Sequence, residues 1–80
     1  MILEYIDAAM LTAKYELLPD DGLYYGEIPG FDGVYASAVQ LEDCQHELKA
    51  TLEDWLLISL RKNLPTPVIN GISLEVKNVA

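Results

Sequence analysis

The residues that could do chemistry are few. His46 is the only histidine and Cys44 the only cysteine in 80 residues, alongside 13 carboxylates. His46 follows Cys44 by two positions in a stretch of helical spacing, which places it about 200° further round at 100° per residue, facing solvent beside Glu42, Asp43 and Glu47. A general base or metal ligand needs converging partners, and no second histidine is there to converge with it. Cys44 falls on the apolar stripe of the same stretch, where a free thiol behaves as a small hydrophobe. The acids around it oppose a thiolate.

Paired carboxylates are the other route to catalysis, because acids on a strand beside acids on a helix can hold Mg²⁺ for a two-metal nuclease. Glu16, Glu27 and Glu75 fall on the outward face of the expected sheet, however, while Glu42, Asp43, Glu53 and Asp54 ride a helix that covers the other face. They do not converge within one subunit. Asp20, Asp21 and Asp32 sit in turn sequences, and no Gly-rich phosphate loop, nucleophile elbow or zinc spacing is present. The expected site is therefore a binding surface, with no catalytic residue, cofactor or metal. Tyr25 and Tyr35 would stand near each other on adjacent strands among Lys14, Glu16, Glu27 and Ser37. Aromatic anchors in a polar rim are how protein interfaces look, and an acidic rim selects a basic partner. Tyr25, Glu27 and Tyr35 are the expected partner-binding residues; the alternative is ordinary surface tyrosine.

These side chains need a sheet and a helix to hold them, and the periodicity supplies both. Ile2, Ile6, Ala9 and Met10 give residues 1–11 the spacing of a short amphipathic helix without a capping residue. From Thr12 the period becomes two. Ala13, Tyr15 and Leu17 alternate with Lys14 and Glu16, the turn Pro19-Asp20-Asp21-Gly22 follows, and Leu23 to Ile28 alternates again. After Pro29-Gly30-Phe31-Asp32-Gly33, residues 34–39 alternate a third time, so residues 12–39 read as a three-stranded antiparallel meander. Gly26, Ala36 and Ala38 on its inner face would admit a helix bearing Trp55 at close range.

Leu41, Cys44, Leu48, Leu52 and Trp55 then recur at helical steps, predicting a long helix over 41–63. Glu42 and Asp43 near its start and Arg61 and Lys62 near its end complement the helix dipole. Asn63 suits a left-handed cap and Pro65 prevents continuation. Leu56, Leu57, Ile58 and Leu60 widen the apolar stripe beyond what one sheet face covers, which calls for the N-terminal helix or a second subunit. After Asn70-Gly71, residues 72–77 alternate as a final strand, expected to pair in parallel with a meander strand through a right-handed connection.

Composition agrees with a small interaction domain. Half the residues are apolar, 51%, more than a chain this short can hide in one core, so the surplus calls for self-association or a partner. Thirteen acids against five bases give a net charge of −8, which repels nucleic acid and acidic membranes and attracts basic partners. A single cysteine rules out an internal disulfide, and neither a signal peptide nor a run of ~18 apolar residues appears. A reducing cytoplasm is the expected setting.

Several runs resemble the HicB-like antitoxin family: Lys14-Tyr15-Glu16, Tyr24 to Phe31 with its Ile-Pro-Gly, Gly33-Val34-Tyr35-Ala36, and the Leu41-Glu42-Asp43-Cys44 helix start through Trp55. Leu64 to Ile72 continues it, so the likeness covers nearly the whole chain as a single domain, 1–80. It implies an α+β fold, β-β-β-α-β, like part of ribonuclease H, with an extra N-terminal helix and without that enzyme's catalytic carboxylates. It also implies a function, binding and neutralising a small basic HicA-type toxin that cleaves mRNA. Two departures stand out. Gln40 replaces the usual Thr that caps the long helix, at a cost of ~1 kcal/mol. Only the 17 residues from Leu64 to Ala80 follow Asn63, so the helix-turn-helix or ribbon-helix-helix domain of many members has no room. The competing readings are a stand-alone oligomeric regulator of the same fold and, more remotely, a metal-dependent nuclease.

Overall fold

The computed structural model describes residues 2–74. Helix α1 (Ile2–Leu11) leads into strands β1 (Lys14–Leu18), β2 (Leu23–Glu27) and β3 (Tyr35–Ala38), and helix α2 (Leu41–Arg61) follows. The strands form an antiparallel sheet in the order β1-β2-β3. Among the described residues the architecture is thus α+β, a meander with two helices, as the change of period from 3.6 to 2 and back requires. The long helix covers β3 and β2, and α1 packs beside it.

The core is the seam between these layers: Tyr5, Ile6 and Ala9 of α1 against Leu48, Leu52 and Leu56 of α2. Ile28, Phe31 and Val34, from the connection between β2 and β3, complete it. That connection is more than a turn. Ile28 N–H donates to Val34 O, Phe31 N–H to Ile28 O and Val34 N–H to Phe31 O, which tucks the Phe31 ring inward. The ring meets Tyr5 and Trp55 edge-on, with centroids 6.2 and 5.1 Å away, and Trp55 Nε1 donates to Asp32 O at 3.1 Å. Full burial of such a ring contributes roughly 1.5–3 kcal/mol.

The small residues of the inner sheet face let α2 sit close, as expected, and it is Cys44 that meets them. Gly26 makes room for the Tyr15 ring and the Cys44 sulfur, not for Trp55: a Cβ on Gly26 would lie 2.7 Å from Tyr15 and 3.2 Å from Cys44 Sγ. Trp55 packs instead against Phe31 of the connection between β2 and β3.

The long helix stops two residues earlier than expected, and the stop is well built. Asn63 takes the left-handed conformation at φ 53°. Its N–H donates to Leu60 O, while Leu64 N–H reaches Ser59 O at 2.8 Å, the paired bonds of a Schellman motif that satisfy otherwise open carbonyls. The chain then returns to α1, where the Tyr5 hydroxyl donates to Pro67 O. Asn70 and Gly71, both at positive φ, form a two-residue turn that folds Ile72 back on Ile69 in an isolated antiparallel bridge. The expected strand over 72–77 is not formed at Ile72–Leu74 for that reason; its remainder lies outside the described residues.

Candidate functional site

The outward face of the sheet gathers the residues that sequence spacing had brought together. The register aligns Lys14, Glu27 and Tyr35 in one cross-strand row and Glu16, Tyr25 and Ser37 in the next, all pointing away from the helices because side chains alternate along a strand. Tyr25 and Tyr35 lie on the diagonal and stack, with ring centroids 6.3 Å apart and planes 29° from parallel. The Tyr25 hydroxyl leans toward Glu27, donating to Oε2 at 3.4 Å. Tyr35 is 59% exposed, so the pair presents an open aromatic surface.

Electrostatics favour a cation here. Partial desolvation holds the Tyr25 phenol above its ordinary pKa, and the negative charges of Glu27 and Glu16 push in the same direction. Two aromatic faces with two carboxylates within one strand spacing suit an Arg or Lys side chain, which is drawn to ring faces and to carboxylates alike. Nothing in the arrangement activates a nucleophile. Cys44 is fully buried and held above its ordinary pKa by desolvation, and its sulfur contacts Ala36 O at 3.6 Å. His46 is exposed, and no group of three or more metal-ligating side chains gathers among the described residues.

The residues expected at an oligomer interface divide. Leu57 and Ile58 are 54% and 53% exposed, and Leu60 is half-buried. Leu56 does not belong with them: α1 packs over it and leaves it 1% exposed in the core. Sequence spacing also missed an open groove of about 580 Å³ between α1, β1 and the start of α2. Glu42, Gln45, His46 and Lys49 line one wall, with Asp7, Met10, Leu11 and Tyr15 opposite. The only trace in the sequence is the i, i+3, i+4, i+7 spacing of the four α2 residues, which any solvated helix flank shares. Its mixed charges select no ligand class.

Residues 4–67 match the UPF0150-like family. The chain belongs to that family. A search of the curated proteins finds no match. Among solved structures, this UPF0150-like chain is similar to TTHA0281 from Thermus thermophilus, with 40% identity over 94% of this chain and 93% of that one and a TM-score of 0.87. The likeness spans both helices and the meander, so the outward tyrosine face and the α1–α2 seam stand on a backbone arrangement the two proteins share. Across the described residues of this UPF0150-like protein, no helix is long and apolar enough to cross a membrane.

Proposed function

We propose that this chain is a HicB-like antitoxin, a binding protein of the cytoplasm that neutralises a small basic HicA-type, mRNA-cleaving toxin by direct contact and performs no catalysis. The observation that carries the reading is the outward sheet face, where exposed Tyr35 stacks on half-buried Tyr25 beside exposed Glu27 and Glu16. A net charge of −8 supports a basic partner and speaks against direct nucleic-acid binding. The membership of the UPF0150-like family and the resemblance of the Ile-Pro-Gly and Leu-Glu-x-Cys runs are consistent with it. In this reading the β-β-β-α core is a ribonuclease H-like frame used for recognition alone.

The test is titration calorimetry against the small basic protein encoded next to this one. Tyr25→Ala and Tyr35→Ala each cost about 2 kcal/mol or more, roughly a thirtyfold loss of affinity. Glu27→Lys weakens binding as well by reversing the charge a cation meets. Wild-type affinity in all three variants removes the interface, and absence of any binding together with unchanged RNA cleavage removes the antitoxin reading. Exposed Leu57 and Ile58 on α2 support a second reading, a stand-alone oligomeric regulator, which would self-associate and show no basic partner.

A further inference from the structure

Strand β3 lies at the edge of the sheet, and its register with β2 decides which of its backbone groups are engaged. Ile28 N–H donates to Val34 O, and in the same register Gly26 meets Ala36 and Tyr24 meets Ala38. Hydrogen-bonded pairs recur at every second residue of an antiparallel ladder. Val34, Ala36 and Ala38 therefore direct their backbone groups to β2, while Tyr35 and Ser37 direct N–H and C=O to the open side. No strand pairs with that side among the described residues.

Exposed edges are normally guarded by charge, proline or a bulge. The other edge, β1, follows the rule with Lys14 and Glu16. The β3 edge does not: residues 33–41 contain neither a charge nor a proline, and Tyr35 and Val39 are 59% and 67% exposed along it. In a chain of net charge −8, an uncharged run is the stretch where two copies can meet without opposing like charges. A basic partner finds no charge to pair with along the edge itself, since the run offers no acid.

We propose that a second copy of this chain pairs antiparallel with β3 about a two-fold axis at Ser37, joining two three-stranded sheets into one of six strands. Ser37 then meets the partner's Ser37 through the backbone groups left open. Tyr35 lies opposite the partner's Val39, two residues either side of the axis, so each exposed aromatic ring covers an exposed β-branched side chain, a favourable cross-strand combination. Ala36 and Ala38 oppose each other on the inner face, where their small side chains leave the helices unobstructed. The pairing stands independently of the antitoxin reading. It also sets the two Tyr25–Tyr35 faces side by side on one continuous surface, giving the dimer a double platform.

The test exploits the self-pairing of Ser37, an exposed residue outside the core. Sedimentation equilibrium and native mass spectrometry of the full chain give a dimer, twice 8.9 kDa, at micromolar concentration. Ser37→Lys and Ser37→Asp each place like charges directly opposite and weaken the dimer about tenfold or more, with unchanged circular dichroism. An equimolar mixture of the two restores a mixed dimer of intermediate mass, and Ile58→Lys dimerises as the wild type does. A monomeric wild type, undiminished dimers in both Ser37 variants, no recovery on mixing, or loss of the dimer in Ile58→Lys would each overturn the pairing.

Discussion

Gly26 sits where three elements come closest. Its neighbours are the Tyr15 ring at 2.7 Å and Cys44 Sγ at 3.2 Å from the position of an added Cβ, both held in place by the layers around them. Replacing glycine by alanine in a strand normally stabilises by restricting the unfolded chain; here overpacking wins, and Gly26→Ala lowers stability by about 1–3 kcal/mol in urea unfolding. Tyr15→Leu in the same background recovers part of the loss, which a general strand effect would not. The same burial sets the alkaline limit of the fold. Desolvation raises Cys44 above its ordinary 9.0 and raises Tyr5 and Tyr15 above their ordinary 10.0. Each of these acids binds its proton more tightly folded than unfolded, so the stability they contribute is complete below those ordinary values and is lost as pH rises through the higher folded ones. Urea midpoints stay level from neutral pH to about pH 8.5 and fall by about pH 10.5. The thiol itself reacts with Ellman's reagent only as fast as the protein opens.

At the scale of elements, α2 is capped well at one end and poorly at the other. Gln40 has the extended backbone of an N-cap, φ −106° and ψ 142°, but makes no side-chain bond to the first turn. Gln40→Thr supplies that bond and stabilises by about 1 kcal/mol, raising Tm by roughly 4–8 °C for a domain of this size; scanning calorimetry checks it. Asn63→Val does the reverse by forcing a branched side chain into the left-handed region at φ 53°. Much of this was legible in the sequence. Alternation set the three strands within a residue or two, Asn63 and Pro65 marked the helix end, and the strand period placed Tyr25, Glu27 and Tyr35 on one face. Three features were not, for one reason: they depend on where elements dock. Phe31 lies among Pro, Gly and Asp residues that signal a turn, and only the meeting of Tyr5 and Trp55 makes it a core residue. Leu56 is indistinguishable from Leu57 by type, and the position of α1 separates them. The approach of Cys44 to Gly26 requires the height of α2 above the sheet, which no local pattern encodes.

Across the whole molecule, the proposed capture of a basic partner would give charge and aromatic contact separable parts. Thirteen acids against five bases create a long-range field that guides approach, and this field is screened as the Debye length shrinks from ~10 Å at 0.1 M salt to ~3 Å at 1 M. The stacked pair Tyr25–Tyr35 acts only on contact, through area and desolvation that salt barely alters. Rates should therefore divide the site. Glu27→Lys lowers the association rate and flattens its dependence on ionic strength, since rim charges act mainly on encounter. Tyr35→Ala leaves that slope unchanged and raises the dissociation rate by about tenfold or more, since contacts at the centre of an interface act on departure. Surface plasmon resonance with the proposed basic partner, across a salt series, measures both. A Tyr35→Ala variant that instead changes the salt slope and leaves dissociation untouched would mean that the ring merely borders an electrostatic contact, and that the centre of the interface lies on another face of the protein.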